Sequence, residues 1–447
     1  MKKNLVALCG LMSILMLLFG CDTDDSAELT ESDKSRIGTV ESQVTRDTAP
    51  LIDDERFTPL IADQRTFTFS LLQQLGEHED GNLFVSPYSI SAALAMVYAG
   101  AQGETRRQMA GTLNFPLDND ALHPGFNRLD RELGERASDE AANNGDPFRL
   151  DVVNQTWGHE AFEFRQDYLD LLARHYGAGI RRVDFRNDAE AVRLEINDWV
   201  ERKTEERIVD LLPPESLNAE TRFVLVNAIY FLGSWKHAFE EESTRNQPFM
   251  RPDGSQIDVP MMRQTAHFGH YAGEHTVAVS MPYIGDDIEL VAMMPADADN
   301  FNRWAAELDR EHFDGVLENI NSRDVALHFP RFESGSDLKL SELLESMGMV
   351  DAFDECAADF SGITGADPCI PDRAIYIDEI FHKSFVDIDE SGTEAAAATA
   401  VAMVRVTSLG PEPPTVRFDR PFYYFIHDRP TGLILFAGRM LDPLQDD

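Results

Sequence analysis

Side chains able to do chemistry are sparse in this chain. Of four cysteines, Cys9 and Cys21 fall in an apolar leader, and Cys356 and Cys369 fall in the body of the sequence. A short stretch with Gly and Pro separates Cys356 from Cys369, so an oxidising compartment would let them close a loop as a disulfide; two free thiols are the alternative. The spacings CxxC, HExxH, GxSxG and GxxxxGK are absent. No catalytic residue and no metal ligand is therefore assigned from motifs. The segment with most to explain is nearly inert: residues 390–405 read ESGTEAAAATAVAMVR. As a strand it would turn Thr393, Ala395, Ala397, Thr399, Val401 and Met403 to one face, and Glu394, Ala396, Ala398, Ala400, Ala402 and Val404 to the other. The charge lands on one side, and the other side is small enough to bury in a dense core. Gly392 supplies backbone freedom where such a strand would start. Alanine is also the strongest helix former, so an exposed helix is the competing reading.

The chain has 447 residues, 43% apolar and 26% charged, the composition of a globular protein. With 39 Lys+Arg against 79 Asp+Glu, its net charge of -40 argues against binding nucleic acid or acidic lipid through a basic face. The acidity serves solubility or tolerance of salt, with a cationic partner as the alternative. MKKNLVALCGLMSILMLLFGC opens with two lysines, then an apolar run, then Gly20 and Cys21, the order of an export signal over residues 1–21. LFGC is similar to the lipoprotein processing box, which makes Cys21 a lipidation site and the mature protein a membrane-anchored lipoprotein of the cell envelope. An ordinary cleaved signal, giving a secreted protein, and an uncleaved anchor are the alternatives. Residues 22–54 are polar and acidic and read as a flexible tether, with the folded domain over 55–447.

Helical periodicity comes early. Phe67, Leu71 and Leu75 form one stripe; Ile90, Leu94, Val97 and Tyr98 form a second, with Ser89 available as N-cap and Gly100 as stop. Val192, Ile196, Trp199 and Val200 form a third. FVLVNAIYFLG, Phe223 to Gly233, is continuously apolar and suits a strand buried on both faces. TVAVSMPY, IELVAMMP and VALHFPRF follow as strands. SDLKLSELLESMGM returns to helix, with Leu338, Leu340, Leu343 and Leu344 as its stripe and Gly348 as its stop. The tail reads as strands joined by a DRPTG turn. The fold class is α+β, without internal repeats.

Six long segments resemble the serpins in order: NLFVSPYSISAALAMVYAGAQGET, INDWVERKTEERIVDLL, FVLVNAIYFLGSWKHAF, PRFESGSDLKLSELLESMGM with ADFSGI, IDEIFHKSFVDIDESGTEAAAATA, and VRFDRPFYYFIHDRPTGLILFAGRMLDP. The resemblance implies the serpin fold, about nine helices and three β-sheets with an exposed reactive-centre loop over roughly residues 390–415. It implies a protease inhibitor rather than an enzyme. A serine protease attacks a bait bond, an acyl-enzyme forms, and the severed loop inserts into the central sheet, trapping the covalent complex. A cysteine protease is a second candidate target class. No cofactor, no nucleic acid and a monomeric state are expected, and a non-inhibitory binding or storage protein is the alternative.

The resemblance also implies residue roles. The hinge of the loop is Glu390, Gly392, Thr393, Glu394, Ala395, Ala396, Ala397 and Ala398. Ser86, Ser89, Asn227 and His382 match the polar cluster where the sheet opens, and Trp235 matches the tryptophan near the mouth of the loop's path. Family spacing from Glu390 puts the scissile bond at Val406–Thr407, which favours elastase-like or subtilisin-like proteases. Arg405–Val406 is the alternative and favours trypsin-like ones. Counting back from Phe418 makes the loop long after the bond, with VTSLGPEPP as the inserted stretch.

Overall fold

The computed structural model describes residues 38–116, 118–144, 149–368, 370, 374–393 and 412–445. The N-terminal half carries β1 (Gly38–Val40), α1 (Asp54–His78), β2 (Leu83–Val85), α2 (Pro87–Tyr98), α3 (Gly103–Leu113), α4 (Asn119–Asn144), β3 (Arg149–His159), α5 (Gln166–Tyr176), β4 (Ile180–Val183), α6 (Phe185–Lys203) and β5 (Phe223–Ser234). Next come β6 (Arg245–Met250), β7 (Gln256–Ala272), β8 (Thr276–Pro282), β9 (Ile288–Pro295), α7 (Phe301–Ala306), α8 (Arg310–Asn319), β10 (Asn321–Pro330), β11 (Phe332–Lys339), α9 (Ser341–Ser346) and α10 (Ser361–Thr364). The chain finishes with β12 (Ile380–Ile388), β13 (Gly392–Thr393), β14 (Thr415–Arg417), β15 (Phe422–Asp428) and β16 (Leu433–Met440).

The sheets place the site. One has seven strands in the order β1-β4-β3-β5-β13-β12-β11, and β5 also pairs directly with β12. The other runs β14-β10-β7-β8-β9-β15-β16-β2, with β6 on β7. β7 pairs with β6, β10 and β8 along its 17 residues, so hydrogen bonding links nine strands continuously. β2 ties the two sheets together: it pairs with β16, while the Phe84 N–H donates to Ser336 Oγ of β11 at 3.0 Å and Ser384 Oγ of β12 donates to Phe84 O. The Phe84 ring stacks on Phe436 at 5.0 Å within the core between the sheets.

Three expectations are corrected. The residues expected as a free tether are docked from Gly38 onward. β1 adds to the edge strand β4, the Arg46 guanidinium reaches Asn127 Oδ1 at 3.0 Å and Asp130 at 2.6 Å, and Asp53 caps α1. Polar composition misled here because backbone amides add to a sheet edge whatever side chains they carry. The N-cap of α2 is Ser86, not Ser89: Ser86 Oγ accepts from the Ser89 N–H at 3.1 Å. Pro87 takes the first helical position, where its missing N–H costs nothing, and so starts the helix earlier. Leu338 belongs to β11, opposite His382, and only Leu343 and Leu344 of the expected stripe lie in α9. Tertiary pairing with β12 overrides a local helical pattern there.

Candidate functional site

β5 and β12 run parallel, with Leu225–Ile229 against Ile380–Ser384. Asn227 therefore lies opposite His382 across the seam, and opposite Asn154 of β3 on its other side. α2 lies beneath this point and contributes Ser86 and Ser89. The His382 ring is fully enclosed. Its Nε2 accepts from the Ser86 N–H at 3.2 Å, so the proton of the neutral ring sits on Nδ1 and is donated to Asn227 Oδ1 at 2.7 Å. Asn227 Nδ2 donates to Ser89 O at 2.9 Å and to Asn154 Oδ1 at 2.6 Å, and lies against Ser89 Oγ. Ser86 Oγ donates to Leu435 O at 2.7 Å. Burial pushes His382 from the ordinary 6.5 down to about 3. The cluster is a closed set of neutral hydrogen bonds pinning two strands and a helix together at the middle of the seam; it has no acid-base or ligand-binding geometry.

Higher along the seam the two strands are parted by the chain itself. After β12 the backbone turns at 389–391: the Asp389 N–H donates to Gly392 O at 3.0 Å, and Asp389 Oδ1 accepts from the N–H groups of Ser391 at 2.7 Å and Gly392 at 3.0 Å. Burial raises the Asp389 carboxyl, and these two N–H groups partly offset that. β13 then lies between β5 and β12, with Gly392 opposite Ser234 and Thr393 opposite both Gly233 and Ile388. Gly392 is required by space, since a Cβ there would lie 2.1 Å from Gly233 O. Glu390 is buried and anchored by Thr244 Oγ1 at 2.5 Å, by Arg331 at 3.6 Å and by the Phe239 N–H on its carbonyl. Trp235 clasps the turn from the other side: Nε1 donates to Asp389 O at 3.0 Å and its N–H donates to Ser391 O at 2.9 Å.

Of the hinge residues expected from sequence, Glu390, Gly392 and Thr393 are described and buried together with Trp235. Ser86, Ser89, Asn227 and His382 are brought together further down the seam. Glu394, Ala395, Ala396, Ala397, Ala398, Arg405, Val406 and Thr407 lie outside the described residues, as do Cys21 and Cys369. Cys356 is exposed, and its N–H donates to Asp354 Oδ1. Sequence reasoning missed Asn154, Asp389, Gly233 and Tyr283. Asn154 and Gly233 are recognisable only by strand register, and Tyr283 by a contact made across more than a hundred residues.

β13, two residues long, thus lies between two strands that pair directly with each other lower down. The serpin (serine protease inhibitor) family profile matches residues 62–443. The chain is a serpin. A serpin-like protein of Thermococcus kodakarensis is 37% identical, covering 86% of both chains. The leukocyte elastase inhibitor of Xenopus tropicalis is 35% identical over 84% of this chain and 97% of its own length, and human antithrombin-III is 34% identical over 84% and 80%. Among solved structures, the thermophilic serpin tengpin in its native state matches with a TM-score of 0.77 and 26% identity, covering 91% of this chain and all of that one. The family and its fold are thereby shown, and one relative matched over 97% of its own length is named as an elastase inhibitor.

Proposed function

We propose that this serpin inhibits serine proteases as a suicide substrate, by cleavage of its loop, formation of an acyl-enzyme and insertion of the severed loop into the seven-stranded sheet. The observation that carries the reading is the seating of Gly392 and Thr393 between β5 and β12, with Thr393 turned inward. Continued in that register, an inserting strand would set Ala395 between Phe231 and Val386, Ala397 between Ile229 and Ser384, and Thr399 between Asn227 and His382. The inward residues are small, as a dense core demands. The Thr399 hydroxyl would arrive where the Asn227–His382 bond must break, able to accept from one and donate to the other. About ten inserted residues at roughly 0.5–1.5 kcal/mol net per hydrogen bond give a gain on the order of 10 kcal/mol. A dozen residues at roughly 3.3 Å each carry the attached protease about 40 Å from the bait position. Held taut by the inserted strand at the end of that travel, the ester is pulled out of line with the protease groups that would hydrolyse it.

The scissile bond is proposed at Val406–Thr407, with Arg405–Val406 as alternative, and an anchor is proposed through lipid on Cys21. Incubation with elastase, subtilisin and trypsin followed by a denaturing gel tests the mechanism. A complex that survives denaturation is expected; clean loop cleavage with no complex would point to a non-inhibitory serpin. Mass spectrometry of the released C-terminal peptide identifies the bond. Cys21→Ser, assayed by detergent partitioning of the exported protein, reads the anchor.

A further inference from the structure

Tyr283 enters the hinge from the other sheet. It follows β8 in the turn leading to β9, yet it forms a bridge with Trp235 at the end of β5. Its ring lies flat on Trp235 at 4.5 Å and edge-on to Phe231 at 5.1 Å, and it is completely enclosed. Its hydroxyl meets Thr393 Oγ1 at 2.6 Å in the same buried pocket. Gly233 leaves just the space this needs, since a Cβ there would come within 3.0 Å of Tyr283 Cδ1. Burial raises the phenol far above its ordinary range, so the group at this contact is a neutral hydroxyl.

We infer that Tyr283 is a positioning residue for loop insertion, its hydroxyl reading the hydroxyl of Thr393 and fixing the register in which the loop begins its strand. The inference rests on the trapping mechanism for its purpose, but not for its geometry. A slip of one residue would turn Glu394 toward the phenol, and a slip of two would present Ala395 and orphan a buried hydroxyl. Of the residues that follow the turn closely, Thr393 offers Tyr283 a neutral hydroxyl, whereas Glu394 would bring an unpaired charge into the pocket and Ala395 no partner at all. Trp235 holds the turn at Asp389 and Ser391 while supporting the Tyr283 ring, so the clasp and the register pin move as one unit. A loop seated this way has its first inward position formed before any bond is cut, and insertion propagates from an existing nucleus.

Hydrogen exchange of residues 389–393 in the uncut protein reads the seat, and the number of inhibitor molecules consumed per protease reads its use. Tyr283→Phe retains the aromatic stack, and Thr393→Val retains the volume. Each is expected to speed exchange about tenfold and to raise consumption, and the double variant is expected to go no further than either single one. Thr393→Ser is expected to stay within about twofold of the unsubstituted protein. Exchange in Tyr283→Phe within twofold of the unsubstituted rate, or effects that multiply in the double variant, would overturn the pairing. Should Tyr283→Phe not fold, Thr393→Val and Thr393→Ser decide the same point. Failure of the unsubstituted protein to form any covalent complex removes the trapping mechanism alone, whereas complexes formed with unchanged exchange remove the register pin alone.

Discussion

His382 shows how one enclosed side chain sets a condition on the whole molecule. Folding holds its imidazole at about 3, against 6.5 for the free group, because burial disfavours the cation. Between those values the unfolded chain binds the proton and the folded chain does not. The stability due to the neutral ring is therefore complete above about pH 6.5 and drains away as pH falls toward 3. His123, buried between α4 and α5 and also held at about 3, adds to the same slope. Melting temperatures measured across this window should fall steeply, and more gently in His382→Gln, which begins from a lower value at neutral pH. Ser86→Ala removes an N-cap and leaves Leu435 O without its donor, so a loss of about 1–3 kcal/mol is expected in denaturant unfolding. Gly392 invites a sharper test: no side chain fits against Gly233 O, so Gly392→Ala should be cleaved as a plain substrate, with little or no complex on a denaturing gel. Thr393→Arg should fail in the same way, because an unpaired charge cannot be buried at the first inward position.

At the scale of elements the central feature is a pair of strands joined below and parted above. β5 and β12 are paired through Ser384, and the hinge occupies the seam at Ile388. Nothing in the local sequence of either strand announces this. The apolar run from Phe223 is read correctly as a strand buried on both faces, but its partner across the seam, β12, lies more than 150 residues away. At the far edge of the same sheet, β1 and the chain leading to α1 brace β4, α4 and α5. The bond from Arg46 to Asn127 and its ion pair with Asp130 are partly shielded, and Asn127 Nδ2 in turn donates to Asp47 O. Arg46→Ala is expected to cost about 1 kcal/mol, read as a lower denaturant midpoint at unchanged slope.

For the whole molecule, the proposed trapping requires that the uncut fold is not its own most stable arrangement. A protease nick in the loop should raise the melting temperature by about 10 °C, the shift that a gain near 10 kcal/mol produces in a domain of this size, and calorimetry of cut and uncut samples checks it. Sequence alone determined the family, the α+β class, the helical stripes of α1 and α2 and the small alternating residues of the loop, because periodicity and ordered motifs are properties of neighbours along the chain. Tertiary structure decided that Leu338 is strand, that the chain docks from Gly38, that Asn227 and His382 meet, and that Tyr283 grips Thr393. Those outcomes depend on which distant backbone offers a hydrogen bond or a cavity, and that choice is made only when the two sheets close on each other.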